Sequence, residues 1–192
     1  MTKAELRRSF LAKRKAITTD ERRRWSRMIA DNFLAGFDLS AVSKLHTFIP
    51  IDKFNEVDTM LIVRHVWAEF PHIRTYAPRI NAETGNLESV AFASGTELTK
   101  TAWGIHEPAP DDIAADSDID LVITPGLAFD TNMHRVGYGK GFYDRFLRNC
   151  RANCQKVGVS FFQPVERIDD IHDGDVQLDF CVTPAAVFAA AG

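Results

Sequence analysis

The stretch from residue 119 to residue 147 constrains the fold most, because it joins an apolar run to a glycine-rich loop and a helical pattern. The run Ile119–Ile123 is typical of a buried strand, and Thr124-Pro125-Gly126 stops it. Glycine then occupies the alternate positions 137, 139 and 141, and residues 142–147 have a helical pattern. Glycine lets a ligand approach the backbone and a helix N-terminus attracts anions, so this order favours a phosphate-binding site.

The glycine spacing alone is a weak signal for a nucleotide. The dinucleotide pattern G-x-G-x-x-G fails because Phe142 stands where the last glycine is required, and the P-loop pattern is absent. A glycine-rich turn with a solvated lysine and arginine explains the spacing about equally well. The choice between these interpretations needs information from the rest of the chain.

The composition indicates one globular domain covering residues 1–192. The net charge of −3 offers no general attraction for nucleic acid or a membrane surface, and no apolar run approaches the length of a membrane span. The basic N-terminus lacks the apolar segment of a secretory signal, so we expect a cytoplasmic protein. Cys150 and Cys154 lie one turn apart in a predicted helix, and with Cys181 they are better explained as reduced thiols than as a zinc site.

The hydrophobic patterns predict an α/β fold with a mostly parallel central sheet, helices on both faces and an antiparallel hairpin. Helices are predicted over residues 2–17 and from about 20 to 34, each after a capping-box pattern, and a third opens over residues 54–59. Strands are predicted over 44–49, 73–77, 156–161 and 176–183, with a hairpin over 79–92. The aspartate-rich stretch 111–120 is predicted to be a mobile surface loop.

Four further residues, at three places in the chain, are candidates for ligand contacts. Lys3 and Arg7 fall close to one helix face with Arg14, near the N-terminus, where cations oppose the helix dipole, so an anion would explain them as well as a solvated basic face does. Glu56 lies in a strand-to-helix loop, where it either holds a ligand or favours the helix start. Trp103, beside a glycine, is either a stacking surface or a core residue.

The residue sequence of the central stretch is a more specific signal than the spacing of its glycines. Residues 125–130, PGLAFD, and 135–145, RVGYGKGFYDR, closely resemble the signature of the 5-formyltetrahydrofolate cyclo-ligase family, also called methenyltetrahydrofolate synthetases. The resemblance also covers the N-terminal cation pair, Glu56, Trp103 and the segment 171–183. The chain departs from the family pattern at Met133, where glycine is common, and at Phe142, where tyrosine is frequent, so the turn near Asn132 and Met133 is in question.

The resemblance implies an ATP- and Mg²⁺-dependent enzyme of the related sheet architecture. Its small-molecule partners would be ATP and 5-formyltetrahydrofolate, which it would convert to 5,10-methenyltetrahydrofolate with release of ADP and phosphate. Phosphorylation of the formyl oxygen would activate the formyl carbon for attack by N10. The alternatives are an enzyme of the same fold with another substrate, and a nucleotide- or folate-binding regulatory module without turnover.

The resemblance also implies a role for each site residue. The ATP-binding residues would be Lys3, Arg7, Arg135, Gly137, Tyr138, Gly139, Lys140, Gly141, Phe142 and Tyr143. The folate-binding residues would be Ile51, Glu56, Trp103, Tyr138, Phe142 and Tyr143. Lys140, Arg135 and Tyr143 would be catalytic, and the Mg²⁺ ligands would be Asp144 and Asp173, since carboxylates suit this hard cation. No residue has the character of a nucleophile.

Overall fold

The computed structural model describes residues 1–100, 106–108 and 112–190. Within these ranges the α-helices are α1 (Lys3–Ala16), α2 (Thr19–Gly36), α3 (Met60–Glu69) and α4 (Phe142–Asn149). The strands are β1 (Lys44–Thr47), β2 (Arg74–Ile80), β3 (Leu87–Ala91), β4 (Leu98–Lys100), β5 (His106–Pro108), β6 (Ile113–Ala114), β7 (Leu121–Pro125), β8 (Ala128–Phe129), β9 (Arg135–Val136), β10 (Gln155–Val159), β11 (Phe180–Val182) and β12 (Val187–Ala189). No helix in the described part of the chain is both long and apolar enough to cross a bilayer.

Eight of these strands form the main sheet, in the order β12-β11-β10-β7-β1-β2-β3-β6. The five central strands, from β11 to β2, are parallel, and the outer pairs are antiparallel. Two small antiparallel pairs, β4 with β5 and β8 with β9, lie outside it. The predicted mostly parallel sheet with an antiparallel hairpin is therefore confirmed.

Local sequence signals explain the first two helices. Thr2 caps α1 and Thr18 caps α2. Each threonine hydroxyl accepts from the amide of the glutamate three residues later, and the carboxylate of that glutamate accepts from the threonine amide. This reciprocal capping satisfies two of the backbone donors that a helix start leaves unpaired. Both predicted capping boxes are confirmed.

The core lies on both faces of the sheet. Along β7, Leu121 and Ile123 pack into one cluster with α2 and α3, whereas Val122 points into a second cluster with Phe146 and Leu147 of α4. This alternation follows from the two-residue side-chain period of a strand. Because strands buried on both faces cannot alternate polar with apolar residues, β7 appears in the sequence as a continuous apolar run.

Several predicted elements were wrong. Helix α3 begins at Met60, not in the 54–59 stretch, where a short 3₁₀ turn at Asp52–Phe54 comes first. Helix α4 ends at Asn149, so Cys150 and Cys154 are not part of one helix. The edge strand β12 was not predicted, because its pairing to β11 depends on a distant partner rather than on a local pattern.

The acidic segment is ordered over its described part, residues 112–120, rather than a mobile loop. Asp118 pairs with the Lys44 ammonium at 2.7 Å, and Asp120 accepts from the Ser43 and Lys44 amides at 2.7 Å each. Asp116 accepts from the Asn149 side chain at 3.0 Å. These carboxylates join the beginnings of β1 and β7 to the end of α4.

The turn at Met133 keeps a left-handed conformation without glycine. Met133 has φ +61° and its side chain is only 1% exposed, packed in the cluster that contains Phe129 and Phe146. Its amide donates to the Asp130 carbonyl at 2.9 Å. Burial of the side chain thus compensates a backbone conformation that non-glycine residues adopt at a cost.

Candidate functional site

The glycine loop 137–141 connects β9 to α4. Between Gly126 and this loop the chain forms the β8–β9 hairpin, for which the sequence offered no local turn signal. Gly139 (φ +88°) and Gly141 (φ +67°) are left-handed, and Gly141 is the N-cap of α4. Glycine is needed at both positions for that conformation, which turns the loop into the helix start.

Helix α1 lies across this loop. Its cations and the loop could bind one phosphate group together only in such an arrangement. Leu6 and Phe10 pack against the β8–β9 hairpin. The Arg7 Nε donates to the Gly137 carbonyl at 2.9 Å. A Cβ on Gly139 would lie 3.3 Å from an Arg7 guanidinium nitrogen, so glycine also makes room for this side chain.

Lys3 is already paired in the structure. Its ammonium donates to Asp175, and the two side chains are only 15% and 13% exposed. Burial raises the pKa of Asp175, but the donations from Lys3 and the His172 amide lower it on balance. A phosphate bound by Lys3 would therefore share this cation with Asp175, a carboxylate that was not among the predicted site residues.

Arg135 is engaged with protein groups. Its guanidinium donates to Asp144 Oδ1 at 2.9 Å and to the Val176 carbonyl at 3.3 Å, and the residue is 8% exposed. Burial lowers the pKa of Arg135, and Asp144 opposes that effect. Arg135 thus connects β9 to α4 and to the segment near residue 176. Its predicted contact with a phosphate stays a prediction.

The two predicted metal ligands differ in their surroundings. Asp144 Oδ1 accepts from Arg135 and from the Val176 amide, whereas Oδ2 makes no hydrogen bond within the described residues. Asp173 is exposed, and no contact in the described part of the chain fixes its carboxylate. The described residues contain no group of three or more metal-ligating side chains. Mg²⁺ commonly uses one or two carboxylates plus phosphate and water, which the free oxygen of Asp144 fits.

The carboxylate of Glu56 is buried in a polar contact with the glycine loop. The residue is 4% exposed, and its oxygens accept from the Ile51 amide at 2.8 Å and from the Tyr138 hydroxyl at 3.1 Å. Burial raises the pKa of Glu56, although the Ile51 amide and the nearby Arg14 lower it in part. The structure thus brings together Ile51, Glu56 and Tyr138, three of the predicted folate-binding residues.

Arg14 completes this contact, and the sequence analysis gave it no role. Its guanidinium donates to the Tyr138 hydroxyl and lies 5.5 Å from the centre of that ring. Glu56 and Arg14 also line a cavity of about 10 Å³ beside Gly126, Leu127 and Ser160. The position of Arg14 on the same face of α1 as Lys3 and Arg7 was the available signal, but its burial depends on Tyr138, 124 positions later.

The start of α4 carries two further predicted residues, Phe142 and Tyr143. The Tyr143 hydroxyl lies 3.4 Å from Nε2 of His46, a buried residue of β1, and burial raises the pKa of Tyr143. Burial also lowers the pKa of His46 to about 3, so its imidazole is neutral near pH 7. The Arg145 guanidinium lies 5.2 Å from the Phe142 ring centre.

Two predicted residues remain to be placed. Lys140 is exposed at the loop, and its ammonium makes no hydrogen bond or ion pair within the described ranges, so it is available to an anion. Trp103 lies outside the described residues. The site geometry therefore rests on α1, the loop before α3, the glycine loop and the segment 172–176.

Comparison with known proteins gives a consistent result. The sequence model of the 5-formyltetrahydrofolate cyclo-ligase family matches residues 1–184. The 5-formyltetrahydrofolate cyclo-ligase of Escherichia coli K12 is 30% identical over 181 residues, which cover 92% of this chain and 97% of that protein. The mouse 5-formyltetrahydrofolate cyclo-ligase is 28% identical over 155 residues, covering 77% of this chain and 74% of the relative.

Two solved structures share the fold. The NMR structure of Aquifex aeolicus 5,10-methenyltetrahydrofolate synthetase superposes with a TM-score of 0.84 at 31% identity, covering 100% of this chain and 94% of that one. A 5,10-methenyltetrahydrofolate synthetase from Mycoplasma pneumoniae gives a TM-score of 0.75 at 24% identity, covering 96% and 99%. At that lower identity the second likeness supports the fold alone.

Proposed function

The chain belongs to the 5-formyltetrahydrofolate cyclo-ligase family, and from this premise we propose that it uses ATP to convert 5-formyltetrahydrofolate into 5,10-methenyltetrahydrofolate. ADP and phosphate are the other products. The proposal includes residues 1–192 as one domain and a cytosolic location.

The reaction needs positioning and charge neutralisation rather than a protein nucleophile. The formyl oxygen attacks the γ-phosphorus of ATP, and the bond to the leaving ADP oxygen breaks. N10 of the folate then attacks the formyl carbon and loses its proton, while phosphate departs with the former formyl oxygen. Phosphoryl transfer of this kind depends mainly on electrostatic stabilisation of a positioned phosphoryl group.

The contact between Arg7 and the Gly137 carbonyl is the observation that carries the proposal. It sets an arginine against a loop whose amides precede a helix N-terminus, and this combination suits phosphate. Lys140 extends from the same loop and would offset charge on the transferring phosphoryl group. Lys3 and Arg135 would add positive charge at the edges of the triphosphate.

The folate would lie between Glu56 and the aromatic residues of the loop. The buried carboxylate would accept hydrogen bonds from paired N–H donors of the pterin, an interaction strengthened by its charge. Ile51, Trp103, Tyr138 and Phe142 would supply the surrounding contacts. Tyr143 would border both ligands from the start of α4.

Asp144 and Asp173 would hold Mg²⁺. When bound, the ion would neutralise charge on the β- and γ-phosphates. Asp144 offers an oxygen without a hydrogen bond in the described residues and fits this role. For Asp173, only its solvent exposure and its place in the same segment as Asp175 support the assignment.

The proposal is tested by mixing the protein with Mg-ATP and 5-formyltetrahydrofolate and recording the near-ultraviolet absorbance of methenyl folates. We expect this absorbance to grow with release of one phosphate per product, and not to grow when ATP is omitted. Folate binding without product would instead support a regulatory module. Phosphate release without methenyl product would show hydrolysis of ATP without cyclisation, and would support an enzyme of the same fold with another substrate.

A further inference from the structure

Arg14 is a buried arginine with an unused donor. The residue is 6% exposed, and its terminal nitrogen Nη2 donates to the Tyr138 hydroxyl. Its Nε is withdrawn from solvent and has no hydrogen-bond partner among the described protein groups. Nε and Nη2 form one edge of the planar guanidinium, so both N–H groups point the same way. A buried donor without an acceptor is costly, and a ligand acceptor would remove that cost.

The surroundings of Arg14 indicate the polarity of such a ligand. Arg14 and Glu56 are the two charged residues lining the cavity, whose other walls are mostly apolar. The Tyr138 hydroxyl bridges them, accepting from Arg14 and donating to Glu56. A group that presents an acceptor to Arg14 and donors to Glu56 would satisfy both charges as the hydroxyl does.

The pterin ring of a folate has this pattern along one edge. Its 2-amino group and N3–H are donors, and the adjacent 4-oxo group is an acceptor. We propose that Arg14 is a specificity-determining residue that donates to the 4-oxo group while Glu56 accepts from the two neighbouring donors. The inference rests on the proposed function, because it assumes a folate at this position. The cavity of about 10 Å³ is too small for a pterin ring, so binding would have to widen it by displacing the Tyr138 hydroxyl from Arg14 and Glu56. Tyr138 belongs to the glycine loop, between β9 and the left-handed Gly139.

The test compares two ligands with two variants. Calorimetry measures binding of 5-formyltetrahydrofolate and of its 4-amino-4-deoxy counterpart, which replaces the 4-oxo acceptor by a donor and also turns N3 from a donor into an acceptor. The wild-type protein should bind the 4-oxo compound at least about tenfold more tightly, the scale for a hydrogen bond to a charged group. Because the change at N3 concerns Glu56, the contribution of Arg14 is the part of this preference that Arg14→Met loses, mainly through weaker binding of the 4-oxo compound.

A second variant separates charge from donor placement. Arg14→Lys keeps a cation beside Glu56, so this variant should fold. It lacks the planar edge with two donors, so its preference for the 4-oxo ligand should also be reduced. Arg8→Met, at an exposed position of the same helix, is the matched control and should keep the wild-type preference. Thermal unfolding of each variant establishes that it is folded.

The outcomes distinguish the two proposals. A wild-type protein that neither binds nor converts 5-formyltetrahydrofolate would overturn the proposed function. A wild-type protein that converts it without preferring the 4-oxo ligand would overturn only the role of Arg14. Equal losses of affinity for both ligands in Arg14→Met and Arg14→Lys would show that Arg14 is merely structural, and an unchanged preference in either variant would also refute the inference.

Discussion

Replacing Glu56 by glutamine should change stability and binding in opposite directions. Burial raises the pKa of Glu56 above its ordinary value of 4.5, so the folded protein binds this proton more tightly than the unfolded chain does. Stability of the wild-type protein should therefore fall as the pH rises from about 4.5 through the folded-state pKa, and level off above it. Glu56→Gln removes this contribution and should be more stable than the wild type at neutral pH.

Binding should weaken in the same variant. The carboxylate accepts from Ile51 and Tyr138, and a folate donor would take the place of the tyrosine. A glutamine keeps one acceptor oxygen for the Ile51 amide and presents an N–H group to the ligand. Losing a hydrogen bond to a charged acceptor costs about 1.5–3 kcal/mol, or roughly 10- to 150-fold in the Kd for 5-formyltetrahydrofolate.

The assay combines thermal unfolding from about pH 4.5 to pH 8, the range in which a raised carboxyl pKa acts, with calorimetric titration of ATP and folate separately. The exposed Glu83→Gln is the matched control and should follow the wild type in both experiments. ATP affinity should be unchanged in Glu56→Gln. A variant less stable than the wild type at neutral pH, with equal losses of affinity for both ligands, would refute the reasoning and give Glu56 a structural role.

Three further variants test other parts of the site. Asp144→Asn should lower kcat by about 10²–10³-fold. Because it weakens the pairing of the buried Arg135 with a half-buried partner, it should also reduce the free energy of unfolding by about 1–3 kcal/mol. Lys3→Ala/Arg7→Ala should raise the KM for ATP at least about tenfold, and it should lower the thermal midpoint because Lys3 belongs to a nearly buried ion pair. Met133→Gly should lose about 1–4 kcal/mol of stability, since the buried side chain contributes more than the relief of its left-handed backbone returns.

Denaturant unfolding and steady-state kinetics decide these three cases. Wild-type turnover of Asp144→Asn at low Mg²⁺ would exclude that carboxylate as a metal ligand. Unchanged ATP kinetics in the double variant would leave phosphate binding to the glycine loop alone. A Met133→Gly protein more stable than the wild type would mean that backbone strain dominates at that turn.

Features with local signals could be predicted from the sequence. The capping boxes at Thr2 and Thr18 and the hairpin around Gly85 each depend on residues within one short segment, and all three are present. The apolar run at residues 119–123 likewise predicted a buried strand, and β7 is buried on both faces. In each case the residues that form the sequence pattern are the same residues whose contacts stabilise the element.

Features that depend on distant partners could not be predicted in the same way. The burial of Arg14 requires Tyr138, and the importance of Asp175 requires Lys3. In the sequence, Asp173 and Asp175 look alike, and only the folded chain distinguishes an exposed carboxylate from one paired to a cation. The position of His46 beside Tyr143 likewise depends on how α4 packs on the sheet.

The pairing of Lys3 with Asp175 has a consequence for synthesis of the protein. The two residues are 172 positions apart, and Arg7 is 130 positions from Gly137. Helix α1 therefore leaves the ribosome long before its partners are made, and its cations face solvent during most of translation. A nascent chain that stops before residue 175 already carries every glycine of the loop, yet it lacks the carboxylate that fixes Lys3 in place.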